Sequence, residues 1–124
     1  MMKLPTLFFI IALMLLMSVH VIALRLFLYW QIWWLDIPMH ILGGVVISVG
    51  IFALHDMRLW IKKRHLSYIP VLLLVCVAAL SWEVYELCVG TAIEENYLMD
   101  TITDLAMGLV GGTIGYTIGT RISK

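Results

Sequence analysis

The sequence predicts an all-α membrane protein, a four-transmembrane-helix bundle with both termini on the cytoplasmic side (N-in/C-in), and three observations carry that expectation. Apolar residues make up 63% of the chain against 13% charged, with a mean hydropathy of +1.03, whereas soluble domains hold about 45–50% apolar residues. The 124 residues divide into four apolar stretches, each near the ~20 residues a helix needs to cross the hydrocarbon. No length remains for a soluble domain, so residues 1–124 form one transmembrane domain with spans at about 4–26, 38–60, 68–90 and 100–120. Third, Lys3, the loop from Arg58 to Arg64 and the tail with Arg121 and Lys124 hold seven of the eight basic residues. Four spans put all three segments on the side where Lys and Arg are retained. The 8 basic residues balance the 8 acidic ones, so bulk charge points to no nucleic acid or other polyanion.

The first span, Leu4 to Leu24, is broken by only a few polar residues, among them Ser18 and His20. It is longer than the apolar core of a signal peptide, about 7–15 residues, and no small-x-small cleavage site follows, so it reads as a retained helix. Arg25 closes it as an interfacial anchor, and Tyr29, Trp30, Trp33 and Trp34 form an aromatic belt at the headgroups. The second span begins near Pro38, whose missing N–H is harmless in a first helical turn. His40, Gly43, Gly44, Ile47 and Ile51 recur on one of its faces at helical spacing. The third span carries Cys76, Ala79, Glu83, Glu86 and Gly90 along one stripe, with Glu83 and Glu86 in the same sector. Cys76 and Cys88 sit about 18 Å apart on that helix, too far to pair, and read as small apolar fillers. On the fourth span Asp100, Asp104, Gly108, Gly111, Gly115 and Gly119 share a stripe, a small-xxx-small face for close packing or for an oligomer contact.

Orientation gathers these residues. Every acid except Asp56 falls on the outward half. Glu94 and Glu95 read as solvated loop charges, and Asp36 and Asp100 also suit helix N-termini. Glu83, Glu86 and Asp104 lie deeper, on faces continuous with glycine, and with His40 form the core of a candidate site. His20 reads as an isolated, internally satisfied histidine. Packed carboxylates cannot all stay ionised in a low-dielectric setting, so they share protons or bind a cation. Asp36, His40, Glu83, Glu86, Asp100 and Asp104 are therefore the candidate ligands of a divalent metal ion: oxygen donors favour Mg, Mn or Ca, and histidine admits Zn or Fe. Such an ion would polarise a phosphoryl or carbonyl oxygen and acidify a water. Glu86 or Asp100 would then accept the proton, and His40 would serve as ligand or acid, making these three the candidate catalytic residues.

The ordered motifs D-x-x-x-H-x-x-G-G at Asp36–Gly44, W-E-x-x-E at Trp82–Glu86 and D-x-x-x-D-x-x-x-G-x-x-G at Asp100–Gly111 resemble the YjdF-like family of bacterial inner-membrane proteins. More distantly they are similar to VanZ-like proteins. The resemblance covers about residues 35–119 and implies a multi-pass protein of the inner (cytoplasmic) membrane, in the cell envelope, with the six polar residues at the family's motif positions. Three functions fit: a metal-dependent hydrolase or transferase acting on a lipid-linked or headgroup substrate at the outer leaflet, a non-enzymatic protein binding a cation or an envelope precursor, and a proton or ion relay within an oligomer. A relay needs polar residues through the whole membrane, and the inner half offers only His55 and Asp56 near its end.

Overall fold

Helix α1 (Leu4–Arg25) opens with Pro5 in its first turn and closes on Arg25, where a positive charge meets the negative end of the macrodipole. Phe27, at φ 55°, turns the chain into the single-turn α2 (Leu28–Gln31). Helix α3 (Asp36–Asp56) starts two residues before Pro38, which still falls among the first N–H positions that lack an intrahelical acceptor. It stops short of the expected end near residue 60, because Met57 and Arg58 fold back on the carbonyls of Ala53 and His55, with Arg58 at φ 57°. A 3-10 turn (Lys63–Leu66) leads into α4 (Tyr68–Val89), which ends at Gly90 with φ 75°, a left-handed cap that glycine adopts without a Cβ penalty. Helix α5 (Tyr97–Ile122) begins three residues before Asp100, because the Asn96 side chain accepts the Met99 N–H at 3.3 Å. These elements come from a computed structural model that describes residues 3–59, 61–90 and 96–123. Trp60, Glu94 and Glu95 lie outside the described residues.

No strand occurs among the described residues. Helices α1, α3 and α4 are each long and apolar enough to cross a membrane. Helix α3 is the central one: 56% of its apolar window is buried, against 11% for α1 and 17% for α4. The two outer helices turn Leu, Ile, Met and Val outward along their length, as at Leu7, Ile11, Leu15, Leu73, Val77 and Leu80. A contiguous apolar face of that extent is unfavourable in water and natural in lipid.

The closest packing joins α3 to α5, and glycine makes it possible. A Cβ on Gly44 would overlap the carbonyl oxygen of Gly108, and one on Gly111 would overlap that of Ile41. Further along, Gly115 faces Val45 and Ser48, and Gly119 faces the Phe52 ring. The two helices therefore run parallel with their backbones touching, as expected of the glycine stripe. Ser48, fully buried, donates to the Gly112 carbonyl at 2.8 Å and fixes the axial register. Helix α1 runs the other way: Lys3 meets Asp56 at 3.4 Å, and the Phe9 ring lies over Gly50. Helix α4 is likewise antiparallel to α5, since Tyr68 reaches Thr113 at one end and Glu83 reaches Thr101 at the other. The basic loop and the C-terminal end of α5 thus share one end of the bundle. Asp36, Glu83, Glu86, Asp100 and Asp104 share the other.

Candidate metal centre

Asp36 and His40 are four residues apart on α3, one above the other on the same face. The tight α3–α5 approach at Gly44 and Gly108 then brings Asp104, one turn before Gly108, onto the same histidine. His40 Nε2 stands 3.5 Å from Asp36 Oδ2 and 3.6 Å from Asp104 Oδ2. Both distances exceed the 2.7–3.2 Å of a good N–H···O bond, so the imidazole sits between two carboxylates without closing on either. One donor atom from each residue lies within 4.8 Å of the other two. Asp104 is 2% exposed, and its Oδ2 has no hydrogen-bond partner. A buried carboxylate oxygen left this way costs several kcal/mol unless something compensates it, and a shared proton, an imidazolium at His40 or a bound cation would each do so.

Among the described residues, that compact group holds three of the six expected ligands. Glu83 is buried beside it at 3% exposed, accepting from the Thr101 hydroxyl at 3.0 Å through Oε2 while Oε1 lacks a partner. Glu86 is held from one turn earlier by the Trp82 indole N–H at 3.0 Å. Asp100 lies with Asp104 and Thr103 on the wall of an outer cavity of about 510 Å³. His20 is satisfied, as expected, by the Tyr29 hydroxyl at 2.9 Å, and its ring meets Trp82 edge-on at 5.2 Å. It nevertheless lines the site, as do Tyr29 and Trp82. Burial, with the Asp36 and Glu86 charges nearby, pushes the Tyr29 phenol up to about 12, so it stays protonated. Arg25 and Cys88 line neither this cavity nor the inner one described next.

The inner cavity, about 220 Å³, lies below the first, between α1, α3 and α4. The two share His20, Tyr29, Asp36, Trp82 and Glu86. Among the described residues no Lys or Arg lines either one, so the imidazoles of His20 and His40 are the basic side chains at a mouth otherwise lined by acids.

The Thr101 hydroxyl is a residue that sequence reasoning did not single out. A threonine beside an aspartate at the start of a helix has no distinctive pattern, and its importance appears only when α4 and α5 are docked. The Thr101→Val variant, which keeps the shape and removes the donor, is expected to cost about 1–3 kcal/mol by leaving both Glu83 oxygens unpaired. Unfolding of the purified protein measures it, and Glu83→Gln combined with Thr101→Val should recover part of the loss.

An all-helical, multi-pass membrane protein with an acid and histidine cluster at one end of its bundle is the class these features define. The chain belongs to the family described as predicted membrane protein (DUF2238), whose family model matches residues 2–124, in agreement with the YjdF-like resemblance of its motifs. No curated protein and no solved structure matches it significantly.

Proposed function

We infer that this protein spans the bacterial inner membrane four times, N-in/C-in, binds a divalent cation through Asp36, His40 and Asp104, and uses it as a hydrolase or transferase on a lipid-linked or headgroup substrate at the outer leaflet. One observation carries the reading: the buried Asp104 Oδ2 makes no hydrogen bond and stands 3.6 Å from His40 Nε2 within a group of three donors. The orientation follows from the basic end of the bundle, which the positive-inside rule assigns to the cytoplasm. Helix α5 is less apolar than its neighbours, but its 26 residues extend about 39 Å and pack along α3 and α4, so it crosses with them.

Two carboxylates and one imidazole suit Mn, Zn or Fe better than an all-oxygen ion such as Ca. Bound there, the cation supplies Lewis acidity to a phosphoryl or carbonyl oxygen. Glu86 or Asp100, both on the wall of the outer cavity, would take the proton from an attacking water. Glu83, buried behind them, holds α5 to α4 through Thr101.

Metal-stripped protein in lipid nanodiscs, titrated with Mn²⁺ and followed by electron paramagnetic resonance, is expected to take up a single tight equivalent that His40→Ala loses. Turnover of lipid-linked phosphates by the loaded protein then supports the enzymatic reading. Uptake without turnover across a panel of such substrates selects the binding reading, and absence of uptake by wild-type protein removes both.

A further inference from the structure

The inner cavity has features that cation binding alone does not require. Its walls are apolar, with Leu13 and Leu16 from α1, Ile47 from α3, and Val75 and Ala78 from α4. Its polar residues gather at the top, where it joins the outer cavity. Along α3 the lining runs from Asp36 to Ile47 and along α4 from Val75 to Glu86, in each case about 16 Å at 1.5 Å per residue. That depth matches one leaflet, half of a hydrocarbon core about 30 Å thick. Helices α1 and α4 both lean on α3 but make no extended contact with each other, so the cleft faces the lipid sideways, with the His20–Trp82 ring contact as a bar near its upper end.

Gly43 supplies a second, independent observation. The other glycines of α3, Gly44 and Gly50, are pressed against α5 and α1, whereas a Cβ on Gly43 would meet nothing within 4 Å. Gly43 lines this cleft. A mid-helix glycine costs about 1 kcal/mol relative to alanine, and here no neighbouring helix uses the space it leaves.

We propose that the cleft between α1 and α4 holds the hydrocarbon chain of the ligand, which is an amphiphile with a phosphate head placed at Asp36, His40 and Asp104. The head rests on the metal reading above, in which the cation supplies the positive charge an oxyanion needs at an acid-rich mouth. The chain rests on the cleft itself. An amphiphile reaching the site from the outer leaflet moves sideways between α1 and α4 and keeps its tail in hydrocarbon throughout, so its apolar surface is never exposed to water.

The test uses the full chain in phosphatidylcholine nanodiscs containing a lysophosphatidic acid with a photoreactive diazirine at mid-chain, in the presence of Mn²⁺. Labelling is expected at Leu16 and Ala78, which line the cleft, in excess over their sequence neighbours Leu15 and Val77, which face outward at 54% and 58% exposure. Gly43→Phe fills the cleft and should reduce cleft labelling about tenfold or more, the effect of ~1–3 kcal/mol of overpacking. Labelling at Leu15 and Val77 and Mn²⁺ uptake should stay unchanged, and Gly43→Ala should label as wild type does. If Gly43→Phe misfolds, Leu16→Trp fills the same space from α1, away from the triad. Equal labelling of cleft and outward residues, or cleft labelling that either filled variant leaves intact, overturns the proposal. Cleft labelling blocked by these variants in a protein that takes up no Mn²⁺ overturns the metal reading and supports the chain site.

Discussion

The Asp104→Asn variant is expected to lose divalent-cation affinity by at least about a hundredfold, more than the 10–100-fold typical of residues that only orient ligands, while its metal-free form becomes more stable than wild type. The two effects share a cause. Asp104 is 2% exposed, and its Oδ2 faces His40 at 3.6 Å without making a hydrogen bond. Burying such a charge opposes folding. Asparagine keeps the volume and removes the charge, so the unloaded protein should gain about 1–3 kcal/mol. The same change removes a negative donor from a group of three, so the stabilisation expected of wild type on adding metal should largely disappear. Thermal unfolding with and without Mn²⁺, alongside the uptake titration, measures both. A variant that is less stable unloaded and binds metal as wild type does would make Asp104 a structural acid and leave the triad without function.

The Gly111→Val variant is expected to be the most disruptive single change in the bundle. Its Cβ would overlap the Ile41 carbonyl, a backbone group on the central helix that no rotamer change can move aside. Helices α3 and α5 must separate, at a cost above the ~3 kcal/mol that marks the upper range for ordinary overpacking, and Asp104 is drawn away from His40 with them. Folded yield and metal uptake should therefore fall together. Gly112→Ala is the contrast: the added methyl meets the flexible end of Leu72 at 3.0 Å and the Val75 methyls at 3.1 and 3.2 Å, contacts that small side-chain shifts relieve. Its effect should be slight by comparison.

Much of this was legible in the sequence because the relevant signals are periodic. Glycines at 108, 111, 115 and 119 mark one face of a helix, and the structure buries that face together with Asp104. The same periodicity put Asp36 above His40. What periodicity cannot supply is the rotation and depth of one helix against another, and these decide which acids meet. Six candidates shared one end of the bundle, but the register set by Gly44 against Gly108 and by Ser48 on Gly112 brings Asp104, rather than Asp100, onto His40. Glu83 and Glu86 share a sector of α4, yet one is engaged by Thr101 from α5 and the other by Trp82 of its own helix. The helix boundaries moved for local reasons, the Asn96 cap and the early turn at Met57, that an apolar run does not encode. His20 is satisfied but not isolated: its Tyr29 partner comes from the aromatic belt, which places both at the shared wall of the two cavities.

The contrast between the two kinds of helix contact has a consequence for how the molecule can vary. Where α3 meets α5, main chain rests on main chain, so donor spacing is insensitive to most side-chain changes and tolerates no sliding. Where α1 meets α3, contact runs through side chains such as Phe9 on Gly50, which can be exchanged for others of similar bulk. The acid and histidine cluster and the α1 wall of the inner cavity are thus held by separable contacts, so the N-terminal helix can be redesigned without disturbing the spacing of Asp36, His40 and Asp104.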